Sequence, residues 1–334
     1  MLKARWETLD PFLTPRQADE MLRLCEEFGS YRCYSEDATN TVPLAPGVPQ
    51  RFDAAANFVR TGGRFGRKED PRVLASRTNY FRETYAYDGR ICPGIETILH
   101  HEGLARAARR IHSCALVVPN IVYANILVPG QELAVHTDVP EFRGANRKLF
   151  PQWLMVVMLH SGLFDRWRLR VATGISYIGS CRGGELAYYP AGPRGPVYTL
   201  PAKHNSAVVL DTDRVFHGVD RVAESQPLPD LRPGAQLCFE GAGRWRVGCE
   251  EKPLAHYRWE ELRFSISWKA YCYQDAAERR LVEEHRDDLS LDQILETLRA
   301  DLRRRGRLEQ GELDEDDLAL TLIDEYVHFP PATP

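Results

Sequence analysis

Two kinds of apolar periodicity divide the chain. Near the start, Ala18, Met21, Leu22, Cys25 and Phe28 recur at helical spacing behind Thr14-Pro15-Arg16-Gln17. Thr14 suits an N-cap, Pro15 the first helical position, Gln17 the reciprocal place of a capping box, and Gly29 a C-terminal stop. A packing helix is predicted there. A second is predicted over 95–111, where Ile95, Ile98, Leu99, Leu104 and Ile111 are apolar. Between them, 31–90 follows no single period. Thr61-Gly62-Gly63-Arg64-Phe65-Gly66-Arg67-Lys68 lacks the spacing of a phosphate-binding loop and reads as solvated. Tyr80, Phe81, Tyr85 and Tyr87 read as core.

From Cys114 the pattern changes to short β-branched runs broken by Pro and Gly. They cover 115–118, 121–128, 133–135, 153–159, 174–178, 185–189, 197–200, 207–210, 215–219 and 262–273. Many short strands with turn signals predict a mainly β, sandwich- or barrel-like core with flanking helices (α+β), not a parallel sheet. The stretch 223–260 is rich in Pro, Gly and charge and reads as an insertion holding one hairpin at 236–247. After Tyr273, three helices are expected over 275–287, 290–303 and 314–326, with Ser290 and Gln293 forming a capping box. The expected organisation is one domain over 1–274 and a helical extension over 275–334. That extension reads as a solvated appendage, or more sharply as a homodimerisation face.

Composition narrows the partners. The 334 residues are 43% hydrophobic and 27% charged, with a formal net charge of −4. No global positive field favours nucleic acid or an anionic membrane, so neither partner is expected. No apolar run approaches the length of a membrane helix, and Met1 to Glu7 lacks a signal-peptide pattern. Eight cysteines stand without a CxxC pair. Reduced thiols in the cytoplasm are expected.

The candidate chemistry lies in Gln131-Glu132-Leu133-Ala134-Val135-His136-Thr137-Asp138. His136 and Asp138, two apart on a strand, share one side. His217 follows the apolar strand Ala207-Val208-Val209-Leu210. Two histidines and one carboxylate leave the remaining positions of a metal open, as in non-haem iron(II) oxygenases. A structural zinc site would instead use four protein ligands, usually with cysteines. An isolated HxD is a surface pair by default; HxD and His217 in order on strands are more specific. Gly183-Gly184-Glu185-Leu186 lies between them.

In Pro129 to Asp138, Gly183 to Leu186, Asp211 to Val219 and Arg263-Phe264-Ser265, the chain resembles the iron(II)- and 2-oxoglutarate-dependent dioxygenase superfamily. The resemblance covers roughly 115–273. It implies a double-stranded β-helix (jelly-roll) core and iron held by His136, Asp138 and His217. It also implies 2-oxoglutarate chelating the metal, and dioxygen as oxidant. The expected reaction is hydroxylation of a C–H bond with release of succinate and carbon dioxide. Asp138 argues against the family's halogenases, which replace that carboxylate by a small residue.

The distal carboxylate of 2-oxoglutarate needs a cation. Guanidinium binds carboxylate bidentately, and Arg263 suits the role. Leu262 to Trp268 alternates, so Arg263, Ser265 and Ser267 share one face. Ser265 then completes the family's Arg-x-Ser pattern. The step from His217 to Arg263 is longer than the family's usual one, which the 223–260 insertion explains. Arg221 and Arg232 are nearer rivals. Tyr123 and Asn125, alternating on the preceding strand, are candidates for contact with cosubstrate or substrate. The cationic loop at 139–148 is expected to be solvated, with anion binding as the sharper option. The expected substrate is a small molecule, an amino acid or a natural-product intermediate. The alternatives are a protein side-chain hydroxylase and a non-catalytic metal-binding jelly roll acting as sensor or scaffold.

Overall fold

The computed structural model describes residues 6–34, 44–45, 48, 50–232, 234–249, 252–308 and 313–332. In chain order the strands are β1 (Trp6–Leu9), β2 (Ser30–Cys33), β3 (Phe81–Tyr87), β4 (Arg90–Ile91), β5 (Leu116–Leu127), β6 (Leu133–His136), β7 (Glu141–Phe142), β8 (Arg168–Leu169) and β9 (Val171–Ile178). They continue as β10 (Leu186–Tyr189), β11 (Tyr198–Leu200), β12 (Ala207–Leu210), β13 (Phe216–Val219), β14 (Gln236–Gly241), β15 (Arg244–Cys249), β16 (Lys252–Arg258) and β17 (Arg263–Tyr273). The α-helices are α1 (Pro15–Phe28), α2 (Phe52–Thr61), α3 (Pro71–Thr78), α4 (Glu96–Leu99), α5 (Glu102–His112), α6 (Gln152–Ser161), α7 (Ala276–Glu283), α8 (Leu291–Arg304) and α9 (Glu315–Tyr326).

Eight strands frame the site. β12-β9-β17-β5 lie side by side within the larger sheet, and β11-β10-β13-β6 form the smaller one. All these pairings are antiparallel. Apart from the β10–β11 hairpin, successive strands of the eight cross from one sheet to the other, which is the winding of a jelly roll. Ile175, Tyr177, Val208 and Leu210 of the larger sheet meet Leu186 and Tyr188 of the smaller in one buried cluster.

Period-two alternation gives the larger sheet its second buried face. Val122, Ala124, Ile126, Phe264, Ile266 and Trp268 turn away from the smaller sheet and pack with Met21, Cys25, Ile98, Leu104 and Ala108. α1 carries the expected capping box, with Gly29 left-handed at its end. Such a cap stabilises a helix by ~1 kcal/mol. The 223–260 stretch holds more than the expected hairpin. β14, β15 and β16 form a meander that joins the larger sheet through β2 and buries Trp245.

Several expectations are corrected. The helix expected over 95–111 is two, because His101 caps α5 through its side chain. The irregular 31–90 region contains α2, α3 and β3, and β3 joins β5 in the larger sheet. Of its aromatic residues, Phe81 and Tyr85 are core, whereas Tyr80 and Tyr87 line a cavity. The run at 153–159, expected as a strand, is the middle of α6. Every residue from Gln152 to Leu159 is buried, so the helix carries no apolar stripe and shows no helical period. The helical tail does not stand in solvent: Ile294, Leu298, Leu302, Leu318, Leu322 and Ile323 share one core cluster with α6. The apolar faces of α8 and α9 are thus covered within the chain. No helix among the described residues is long and apolar enough to cross a membrane.

Candidate metal centre

β6 and β13 are paired in the smaller sheet, and His136 and His217 are direct cross-strand partners. Their rings lie 4.5 Å apart. Gly218 allows this approach, because a Cβ there would sit 2.8 Å from the Leu133 carbonyl of β6. Just past β6, the Asp138 amide donates to the Thr212 carbonyl (3.0 Å), which turns its side chain toward both histidines. Asp138 Oδ1 stands 3.6 Å from His136 Nε2 and 3.7 Å from His217 Nε2. The three ligand atoms lie within 4.8 Å of one another.

The proton positions suit a metal. His136 Nδ1 lies 2.7 Å from the Ala134 carbonyl, and His217 Nδ1 lies 2.9 Å from the Val215 carbonyl. A carbonyl only accepts, so each Nδ1 donates and each Nε2 keeps its lone pair toward Asp138. Burial, then the neighbouring His136, pulls the His217 pKa down to about 4. Burial opposes the Asp138 charge, but the adjacent Lys269 cation outweighs it and holds the carboxyl well below its usual range. Lys269 Nζ donates to Asp138 Oδ2 at 2.6 Å. One carboxylate oxygen is thus occupied, and the other faces the imidazoles. Two nitrogen donors with their Nε2 atoms turned inward and one ionised oxygen donor form the set expected for a mononuclear iron(II) centre.

The same strand carries a second cation. Arg263 opens β17 and is 2% exposed. Its Nε donates to the Gly184 carbonyl at 2.6 Å, and its other nitrogens lie 3.3 Å from Ser265 Oγ and 3.3 Å from the Tyr177 hydroxyl. Gly184 is left-handed, and a Cβ there would stand 2.8 Å from Arg263 Cδ. Of the glycine pair noted in the sequence, Gly184 therefore cradles this arginine, and Gly183 lies against the 221–223 backbone. Arg263 has no carboxylate partner among the described residues. Its two rivals do: Arg221 pairs with Glu132 at 2.6 Å and Arg232 with Asp230 at 2.6 Å. A buried guanidinium without a counter-charge is costly unless an anion joins it.

The triad and Arg263 line one cavity of about 1840 Å³, together with Tyr123, Asn125 and Ser265. Asn125 Oδ1 is buried there without a hydrogen-bond partner among the described residues.

No protein-family model matches the chain, and no curated protein matches it in sequence. Solved structures do resemble it. One is a prolyl hydroxylase from Trichoplax adhaerens in complex with a hypoxia-inducible-factor oxygen-degradation-domain peptide. It is 13% identical, with 84% of this chain and 87% of that chain covered and a TM-score of 0.44. Another is the non-haem α-ketoglutarate-dependent epimerase SnoN of nogalamycin biosynthesis, at 9% identity, 81% and 79% coverage and a TM-score of 0.42. A third is HygX from Streptomyces hygroscopicus with nickel, 2-oxoglutarate and hygromycin B, at 9% identity, 83% and 90% coverage and a TM-score of 0.39. None of these likenesses is close enough to assign a substrate.

Some site residues were not singled out from sequence. Lys269 continues the polar face of Arg263, Ser265 and Ser267 by one more step, so the alternation carried its signal. Tyr177 had no such signal, because its place depends on strand pairing. The 61–68 loop is not solvated throughout: Arg64 Nε donates to Asp220 Oδ1 at 2.7 Å, beside β13. In the 139–148 loop, Arg143 is buried against Asp287 (2.6 Å), whereas Arg147 lines the cavity.

Proposed function

We propose that the protein is an iron(II)- and 2-oxoglutarate-dependent oxygenase that hydroxylates a C–H bond of a small molecule. The observation that carries this is a buried Arg263, without a carboxylate partner among the described residues, in the same cavity as a His-Asp-His set with its donor atoms turned together. His136, Asp138 and His217 would hold iron. Arg263, with Ser265 and Tyr177, would hold the distal carboxylate of 2-oxoglutarate. When bound, iron(II), 2-oxoglutarate and dioxygen supply the oxidation of a C–H bond, with succinate and carbon dioxide as co-products.

The chain's own residues do the rest. The Ala134 and Val215 carbonyls fix the imidazole tautomers. Lys269 keeps Asp138 ionised and engages its second oxygen. The cavity exceeds the roughly 300–1,000 Å³ typical of small-ligand sites. That volume favours a bulky substrate, such as a natural-product intermediate, over a free amino acid. It also accommodates a peptide segment, which is the second reading. All eight cysteines are free thiols, which suits the reducing cytoplasm.

The test is succinate formation by purified protein given iron(II), 2-oxoglutarate and oxygen. Succinate that depends on iron and disappears in His136→Ala supports the proposal. Stoichiometric iron binding without any succinate would leave a metal-binding jelly roll of the sensor kind.

A further inference from the structure

The cavity's arginines fall into two groups. Arg32, Arg51 and Arg232 have carboxylate partners in Glu83, Asp53 and Asp230. Arg82, Arg147 and Arg263 have none among the described residues, and all three line the cavity. Arg263 turns toward Tyr177 and Gly184, on the β9–β10 side. Arg82 and Arg147 gather on the opposite side, around one aromatic group.

Arg82 stands on β3, directly opposite Asn125 of β5, which in turn stands opposite Ser265 of β17. Two strand spacings, about 10 Å, therefore separate the backbones of Arg82 and Ser265. The Arg82 guanidinium lies 3.8 Å from the Tyr123 ring centroid and 5.0 Å from that of Tyr34. Tyr34 stacks on Tyr80 at 5.1 Å. Arg147 donates to the Tyr34 hydroxyl at 3.1 Å. Two cations are thus held on tyrosine faces and hydroxyls, an arrangement that positions them without neutralising them. The orphaned Asn125 Oδ1 lies between this cluster and Arg263, and marks a place for a hydrogen-bond donor of a ligand.

We infer that Arg82 and Arg147 bind an anionic group of the molecule to be oxidised, a carboxylate or a phosphate, with Tyr34, Tyr80 and Tyr123 against its adjoining planar or apolar part. Calling that molecule the substrate rests on the oxygenase reading above; the anion site itself does not. Guanidinium serves both anions. The substrate class is then an organic acid or phosphoester, and not a neutral or cationic molecule.

The test uses the full chain, anaerobic, loaded with iron(II) and saturated with 2-oxoglutarate so that Arg263 is engaged. Calorimetry compares phenylacetate, phenyl phosphate and neutral phenylacetamide. The expected result is an anion preference of about tenfold or more over the amide, as for charge-assisted hydrogen bonds. The stronger of the two anions names the group. Arg82→Gln and Arg147→Gln should each reduce the preference, and together abolish it. Arg32→Gln, on the neighbouring strand and already paired with Glu83, should keep it. Equal binding of amide and anions by the wild-type protein overturns the inference, as does a preference that survives loss of both arginines. If Arg82→Gln fails to fold by circular dichroism, Arg147→Gln and the wild-type comparison still decide. If 2-oxoglutarate does not bind, the series is repeated without it in Arg263→Gln. An Arg82-dependent preference there keeps the anion site while the oxygenase reading falls.

Discussion

Lys269 and Arg263 share one strand and one face, yet they have opposite surroundings. Lys269 is satisfied within the protein: Asp138 accepts from it at 2.6 Å, and burial does not discharge it because the carboxylate holds its proton on. Arg263 is more deeply placed, and its partners are a carbonyl, a serine and a tyrosine. The buried Arg168, with Asp211 at 2.7 Å and Asp213 at 3.3 Å, behaves like Lys269. The difference separates two uses of a buried cation. One with a carboxylate is part of the architecture, here the support of Asp138, a proposed metal ligand. One without marks where an external anion completes the electrostatics.

The largest expected effect comes from removing a ligand. His217→Ala should weaken iron(II) binding by more than ~100-fold, beyond the 10–100-fold typical of outer-shell changes. Anaerobic metal titration checks it, with circular dichroism confirming the fold. Lys269→Met acts one step out and should cost about tenfold in iron affinity. It should also move the acid limit of binding upward. Asp138 is ionised at low pH partly because of Lys269, so without that cation protons displace the metal at higher pH. A pH series of iron titrations in both proteins reads the shift.

Gly184→Ala separates the two cations, because the added Cβ would meet Arg263 and Val222 but not Lys269. With φ at +68° and a Cβ 2.8 Å from Arg263 Cδ, the substitution should displace the guanidinium. The 2-oxoglutarate KM should rise about fivefold, the effect of weakening one charge-assisted contact, with iron affinity kept. The smallest effect concerns stability of the metal-free protein. Burial is the first cause that lowers His112, His160 and His217 from 6.5 to about 4. Between those values the unfolded chain takes up protons that the folded chain refuses. Stability is therefore full above the unfolded value and falls as pH drops through this window. Thermal unfolding followed by circular dichroism should show Tm declining by a few degrees or more from pH 6.5 to 4.

Much of this was legible in the residue pattern, for a physical reason. A strand's period of two is a strict rule, so the alternation of Leu262 to Trp268 placed Arg263 and Ser265 on one face. The HxD spacing likewise placed His136 and Asp138 on one side. Capping chemistry is equally local, and Thr14 with Gln17 specified the start of α1. What depends on partners was not legible. α6 is buried on every side, and a continuous apolar run carries no period. β3 reads as irregular because its cavity face bears Arg82 and Thr84 among aromatic residues. The tyrosine setting of Arg82 exists only once β3 lies beside β5. The insertion read as a single hairpin, but its three-stranded meander extends the sheet edge and returns the chain at Arg263.

The most direct measurement is anaerobic titration of 2-oxoglutarate into the iron(II)-loaded protein, wild type against Arg263→Gln, followed by visible absorption and calorimetry. The expected outcome is one-to-one binding with an iron-dependent charge-transfer band in the wild type. Arg263→Gln should bind iron as well as the wild type but 2-oxoglutarate about 10–100-fold more weakly. Wild-type protein that binds iron yet no 2-oxoglutarate, or an Arg263→Gln variant with unchanged 2-oxoglutarate affinity, would contradict the account.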